Sequence, residues 1–347
     1  MKALVLEDYH TLTYQEVPDP KISPDEVLIR VKAAGICGSD VHGMDGSTGR
    51  REPPVIMGHE ASGVIADTGA EVMEWEKGDP VTFDSTVYKL DDWYTRKGMY
   101  NLSEGRRVLG VSCKEYRMDG AFAEYIKVPY HILHRIPEGV SYTEAAMVEP
   151  LAVGAHAVEL TPLALNDTVV VFGAGMIGLS IIQIAKEKGL GRIIAIDLAD
   201  DKLEIALKNG ATHVMNPQKV DIQSEILKHT HYRGADVAFE AVGVSATVNQ
   251  SIASVRKGGA VTLVGNITPV TEFSLQSVVT RQISIQGSCA ICGEYPAVLD
   301  MLARKQIDIA PLLSAEAPLA EGAKWFDRLY KKEKDLVKVI LKPDETD

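Results

Sequence analysis

The segment TVVVFGAGMIGLSIIQIAKEKG (168–189) decides the fold. Its first five residues form a continuous apolar run rich in valine, the pattern of a strand buried on both faces. From Met176 onward the apolar residues fall at helical spacing, and the pattern stops at Gly189. At the junction stands Gly173-Ala174-Gly175-Met176-Ile177-Gly178, a G-x-G-x-x-G turn. Each glycine there has its own task. Gly173 permits the tight turn, Gly175 lets backbone approach a pyrophosphate, and Gly178 lets the helix pack closely on the strand. The helix N-terminus then offers free N–H groups and a positive dipole end to phosphates. The next apolar run, RIIAID (192–197), ends in Asp197, 19 residues beyond Gly178. That is close to the roughly 20 expected for a carboxylate that accepts the hydroxyls of a ribose. Such a carboxylate repels a 2′-phosphate, and no Arg follows it directly in LADDK (198–202), which favours NAD over NADP. An ordinary turn of an α/β protein is the alternative reading of the glycines.

Outward from this segment the pattern repeats. KLEIALKNG (202–210) reads as an amphipathic helix stopped by glycine. ADVAFEAVG (235–243), GAVTLVG (259–265) and QISIQG (282–287) read as strands with helical segments before or between them. Apolar runs alternating with helices predict a parallel, doubly wound sheet. Before Pro150 the texture differs. KALVLE (2–7), EVLIRVKAAG (26–35), EASGVIADTG (60–69), DPVTF (79–83) and AFAEYIKVP (121–129) are short strands punctuated by Pro and Gly, which predicts an irregular, mostly antiparallel β-barrel. After about residue 290 a helix (EYPAVLDMLARKQ, 294–306) and a late strand (LVKVIL, 336–341) are expected to fold back onto that first domain. The fold class is therefore α/β. Residues 1–150 with 290–347 form one β-rich domain, and 151–289 form the dinucleotide-binding domain.

Composition supports this division. A chain of 347 residues suggests about two domains. Its hydrophobic content of 46% and charged content of 24% are those of a globular protein. A net charge of −12 argues against a nucleic-acid partner, which would want a basic face. The N-terminal MKALVLEDYH has no apolar run of signal-peptide length, and no stretch reaches the roughly 18 apolar residues of a membrane span. Four cysteines (Cys37, Cys113, Cys289 and Cys292) are too few for a disulfide scaffold, and a reducing cytoplasm is expected.

Two separated segments carry metal-ligating residue types: Gly35-Ile-Cys37-Gly-Ser39-Asp40-Val-His42 and Gly58-His59-Glu60. Sulfur, imidazole and carboxylate donors suit zinc, and three protein ligands leave a fourth tetrahedral position open, the mark of a catalytic site. Glu149, in VEPLAVGAHA (148–157) at the domain junction, is expected either as an alternating ligand or as the group that holds the metal-bound water. The competing readings are a buried hydrophobe for Cys37 and a polar pair for His59-Glu60. A site for a hydride acceptor favours the metal, because a hydride donor needs activation.

These residues resemble the zinc-containing medium-chain dehydrogenase/reductase superfamily, on its sorbitol/polyol dehydrogenase side. GICGSDVHG (35–43), PVIMGHEASGVI (54–65), GDPVT (78–82), DGAFAEY (119–125), EPLAVGAHA (149–157), VVVFGAGMIGL (169–179) and FEAVG (239–243) carry the resemblance along essentially the whole chain. It implies a GroES-like catalytic domain and a Rossmann domain. It implies Cys37, His59 and Glu60 as catalytic zinc ligands, with Glu149 completing or exchanging in the shell. Ser39 would take the alcohol proton, His42 would pass it to solvent through the cofactor ribose, and Asp40 would orient His59. Ile177, Asp197, Lys202, Val264, Gly265, Asn266, Ser288, Cys289 and Ala290 match cofactor-contacting positions. A homo-oligomer, tetramer before dimer, is implied, with a small alcohol or polyol as substrate.

Two departures from the superfamily matter. Most relatives bind a second, structural zinc through four cysteines on a lobe, where this chain has Lys89, Asp92, Thr95 and Ser103. One zinc per subunit is therefore expected, with Tyr88, Trp93, Tyr94 and Tyr100 anchoring the lobe by burial. A structural zinc contributes roughly 10–16 kcal/mol in peptides, against at most about 1 from an exposed Lys89–Asp92 pair. The second departure is in the substrate site. Gly43, Ala290 and Ile291 stand where sorbitol dehydrogenases carry a Tyr and an Arg-Tyr pair that bind polyol hydroxyls, which argues for a shorter diol, a less hydroxylated alcohol than sorbitol, or a polyol gripped by other residues. A single Cys289-Ala-Ile-Cys292 reads as lining. The reading is thus a zinc-dependent, NAD-linked secondary-alcohol or polyol dehydrogenase. The alternatives are a 2,3-butanediol or threonine dehydrogenase of the same superfamily, a zinc-free quinone or enone reductase, and a non-catalytic NAD-binding protein.

Overall fold

The computed structural model describes residues 1–113 and 116–343 and divides into two compact units. One comprises Met1–Glu149, Ile291–Lys305 and the chain from Leu313 onward; the other comprises Pro150–Ala290 and Gln306–Leu312. The sequence reading assigned 1–150 and 290–347 to the first unit, and Pro150, Ala290 and residues 306–312 depart from it. Gln183 explains the exchange. Its side-chain amide donates to the Asp308 carbonyl (2.8 Å) and accepts from the Asp308 N–H (3.3 Å), while Ile309 and Leu312 are buried.

The second unit is a six-stranded parallel sheet. Its strand order is His213–Met215, Arg192–Ile196, Thr168–Phe172, Ala235–Glu240, Val255–Leu263 and Ser284–Gly287. Thr168–Phe172 lies at the point where the winding reverses, so its C-terminal end opens onto the crevice where such sheets bind ligands. Its valines and Phe172 are fully buried. Val170, Phe172, Ile194 and Ile196 form a cluster with Ile222 and Ile226 of helix Ile222–His229 and with Val248 and Ile252 of helix Ser245–Ser254. The helix after the turn spans Met176–Glu187, with Gly175 at its N-cap. The three-residue strand His213–Met215 is too short to show a period, and sequence analysis passed over it.

The first unit holds a seven-stranded sheet. Strands Leu133–Arg135, Pro80–Phe83, Glu60–Thr68, Glu26–Gly35, Lys338–Lys342 and Leu313–Pro318 follow in that order, and Tyr125–Pro129 also pairs Glu26–Gly35. All pairings are antiparallel except the last, Leu313–Pro318 with Lys338–Lys342. A three-stranded sheet of Thr11–Glu16, Lys2–Asp8 and Val55–Ile56 accompanies it. Alternation along Glu26–Gly35 turns Val27, Ile29 and Val31 into one core with Leu4, Phe83, Phe122, Phe326 and Leu341. The rings of Phe122 and Phe326 meet edge-on at 5.7 Å. Among the described residues, no helix is long and apolar enough to cross a membrane.

The glycine turn is sterically closed. Gly173 has φ +94°, a left-handed conformation that favours glycine. A Cβ on Gly178 would stand 1.8 Å from the Gly173 carbonyl oxygen, whereas one on Gly175 would meet nothing within 4 Å. Gly178→Ala must therefore push the helix off the strand. Thermal or urea denaturation should show a loss of about 1–3 kcal/mol, accompanied by weakened dinucleotide binding. Unchanged stability would contradict the close approach.

Candidate active site

Strand register assembles the metal-ligating residues. Gly35 pairs with Glu60, so Cys37 lies two residues past the end of one strand and His59 one residue before the start of its neighbour. On the other side Ile340 pairs with Gly35 and the Ile36 N–H donates to the Val339 carbonyl (3.0 Å), which brings Lys338 level with Cys37. The donor atoms of Cys37, His59 and Glu60 all lie within 4.8 Å of one another. The thiol is partly accessible, while His59 and Glu60 are buried. A Cβ on Gly35 would fall 2.2 Å from Glu60 Oε2, so only glycine admits that carboxylate here. The mixed S, N and O donor set and the buried imidazole fit a tetrahedral metal ion with one position left for a substrate.

Three buried ionic groups surround this set. Lys338 Nζ donates to both oxygens of Glu60 (2.8 and 2.6 Å) and to the Ile36 carbonyl (3.0 Å). Burial works against its charge, but Glu60 outweighs this and raises the lysine pKa. Sequence reasoning missed Lys338. The available signal was one charge inside the otherwise apolar run LVKVIL. Asp40 is wholly buried at the start of helix Gly38–Gly43, accepts from the Cys37 N–H (3.3 Å) and lies 3.5 Å from His59 Nδ1. Burial would raise its pKa, but His59 and Arg51 reverse this and hold it well below the usual carboxylate range. For His59, burial is likewise outweighed by Asp40 and Cys37, which favour the protonated ring before any metal displaces the proton.

Glu149 stands outside the three-residue group. It accepts a hydrogen bond from Ser85 Oγ (3.0 Å). Burial pushes its pKa up, His59 opposes, and Glu60 adds to the rise. Ser39 is half-buried and His42 is exposed.

In the other unit the predicted dinucleotide residues gather at the C-terminal ends of the parallel strands. Gly173, Gly175, Ile177 and Gly178 follow Thr168–Phe172, and Asp197 follows Arg192–Ile196. Val264, Gly265 and Asn266 follow Val255–Leu263, and Ser288, Cys289 and Ala290 follow Ser284–Gly287. Lys202 sits on helix Asp200–Lys208. Asp197 accepts from the N–H groups of Ala174 (2.8 Å) and Ala199 (3.0 Å), which ties it to the glycine turn. Gly243, reached through Ala241 and Val242, crowds Gly265 and Asn266, with a Cβ there only 2.5 Å from Asn266 N.

The lobe without cysteines is held by other means. Asp92 caps helix Trp93–Arg96 by accepting from the Tyr94 and Thr95 N–H groups (2.8 and 3.3 Å), and Ser103 Oγ accepts from the Lys89 N–H (3.2 Å). Tyr88 and Tyr100 stack at 4.4 Å, and the Tyr100 hydroxyl donates to Asp84 (2.7 Å) and accepts from the Gly293 N–H (2.8 Å). Cys292 donates its thiol to the Gly98 carbonyl (3.0 Å). The anchoring expected of Trp93 does not occur. The indole is 61% exposed and meets Tyr94 edge-on, because its four-residue helix has no buried residue.

Comparison with known proteins agrees with this geometry. Residues 23–138 match the alcohol dehydrogenase GroES-like domain, and residues 177–304 match the zinc-binding dehydrogenase family. Sorbitol dehydrogenase of Bacillus subtilis is 35% identical over 99% of this chain and 98% of its own length. D-xylulose reductase of Saccharomyces cerevisiae is 31% identical over 99% and 98%. The solved structure of alcohol dehydrogenase TADH from Thermus sp. ATN1 superposes with a TM-score of 0.93 at 30% identity, covering 99% of this chain and all of that one. The chain belongs to the zinc-containing medium-chain dehydrogenases/reductases. Within them it falls on the polyol dehydrogenase branch, and it is an oxidoreductase of CH–OH groups.

Asp84 gives the lobe a pH signature. Burial pushes its pKa up from 3.8 to about 6, against the hydrogen bonds from Thr86 and Tyr100. A pKa raised in the folded state contributes stability that is present below about 3.8 and lost as the pH rises through about 6. The difference corresponds to about 3 kcal/mol. Asp84→Asn, which does not ionise, should gain on the parent by about that amount between about pH 4 and pH 7 in urea denaturation. A pH-independent offset would contradict this reading.

Proposed function

We propose that this enzyme oxidises a secondary hydroxyl of a small diol or polyol with NAD, using one catalytic zinc per subunit and no structural zinc. The convergence of Cys37, His59 and Glu60 donor atoms within 4.8 Å carries the reading. Zinc bound there supplies Lewis-acid polarisation of the substrate hydroxyl, easing loss of its proton near neutral pH. Cys37, His59 and Glu60 hold the ion, and Asp40 orients His59. Lys338 neutralises Glu60 when the carboxylate is not engaged by metal, and Glu149 stands by as the alternative carboxylate. Ser39 takes the alcohol proton and exposed His42 hands it to solvent. The turn at Gly173–Gly178 receives the pyrophosphate, and Asp197 accepts the adenosine ribose hydroxyls. NAD held by that turn and Asp197 would supply the acceptor for the hydride of the carbinol carbon, which would become the carbonyl of the product.

Asp197, followed by Asp200 and Asp201 at the start of the next helix, supports NAD over NADP, because a 2′-phosphate would meet like charge. The replaced lobe cysteines, with Asp92 and Ser103 bonded to backbone instead, support a single zinc. Gly43 and Ile291 are buried and offer no hydroxyl-binding group, which favours a short diol over sorbitol.

Metal analysis should find one zinc per subunit. Cys37→Ala should lose zinc and activity while keeping NAD binding. Two zinc ions, or activity surviving in the variant, would sink the proposal. In a panel of diols, sugar alcohols and both nucleotides, short diols should be oxidised faster than sorbitol, and NADP should be used at least ~100-fold less efficiently than NAD. Faster turnover of sorbitol would overturn the substrate reading.

A further inference from the structure

Arg51 is among the largest fully buried side chains of the protein. Nothing in the motifs singled it out. It lies in GRREPPV (49–55), ahead of the second ligand segment. Its Nη2 donates to Asp40 Oδ1 at 2.8 Å and reaches Ser39 Oγ at 3.4 Å. Its Nε is buried without a partner among the described residues. The guanidinium is thus placed by two residues of the site alone. Its aliphatic stem has a fixed path too, since a Cβ on Gly43 would stand 2.3 Å from Arg51 Cγ. The missing side chain at 43 is therefore what lets a cation enter beneath helix Gly38–Gly43. His59 Nδ1 approaches the same Oδ1 of Asp40 at 3.5 Å, so arginine and histidine share one carboxylate oxygen.

We propose that Arg51 is a positioning residue for the metal centre: it clamps Asp40 so that the carboxylate faces His59, and it steadies Ser39. The proposal rests on the zinc reading above. A wholly buried carboxylate needs a cation, and without Arg51 only His59 supplies one. The planar guanidinium donates along a fixed direction, which a lysine ammonium on a flexible stem does not reproduce. Asp40 would then turn away, and His59 would lose its orienting partner. Partners behind metal ligands typically carry a 10–100-fold effect on metal affinity or activity.

The test measures zinc affinity by chelator competition, with far-UV circular dichroism and thermal melts as folding checks. Arg51→Ala should weaken zinc binding about 10–100-fold, and Arg51→Lys should restore it only in part. Guanidinium, added below denaturing concentration, should return affinity to Arg51→Ala. In an Asp40→Asn background Arg51→Ala should have no further effect, because the group through which it acts is gone. Should Arg51→Ala not fold, Asp40→Asn/Arg51→Met removes both charges together, and its zinc affinity should equal that of Asp40→Asn alone. A folded Arg51→Ala with parental zinc affinity overturns the proposal, as does an equal loss in the Asp40→Asn background. The parent and Cys37→Ala separate the two readings. If Cys37→Ala binds zinc as tightly as the parent, the metal reading itself fails and this proposal with it.

Discussion

The ion pair between Lys338 and Glu60 is the interaction on which the rest of the catalytic unit turns. Both groups are buried, and neither is tolerable alone, because removing one partner leaves an uncompensated charge in a low-dielectric interior. The pair exists only because three strands keep their register. Gly35 pairs with Glu60 on one side and Ile340 on the other, and a one-residue slip of either neighbour would turn its side chains to the opposite face. The same register delivers Cys37 and His59 to Glu60. The sheet pairing, the cluster of donor atoms and the charge balance are therefore one structural fact rather than three.

Around that pair the site is built as two balanced halves. Lys338 answers Glu60 and Arg51 answers Asp40, with His59 between the two carboxylates. Each of the two buried carboxylates thus has its own buried cation. Glu149, its pKa raised by burial, is a third buried carboxylate of this unit and accepts from Ser85.

What the sequence disclosed follows from how local each signal was. The turn at Gly173–Gly178 was legible because strand, turn, helix and Asp197 all lie within thirty residues. Cys37, His59 and Glu60 were legible because each sits in a motif with its own glycine. Gly35 and Gly58 mark places where backbone must pass closely or turn. Lys338 and Arg51 were not legible. Their partners lie 278 and 11 residues away, and a single basic residue in a strand or loop reads as surface until pairing is known. Trp93 was misjudged for the opposite reason. Aromatic content suggested burial, but its four-residue helix has no buried residue.

The lobe extends this lesson about charge. The cysteine-free lobe is held by a stacked tyrosine pair, an aspartate cap and a serine that closes onto backbone. Each of those contacts is individually small, about 1 kcal/mol or less. Asp84 works against them, since a carboxyl with a raised pKa is a group the fold would rather keep neutral. Yet Asp84 accepts the Tyr100 hydroxyl, and Tyr100 in turn accepts from the Gly293 N–H at the root of helix Tyr295–Ala303. The aspartate therefore trades stability for a connection. It ties the lobe to the segment that carries Ile291 and Cys292.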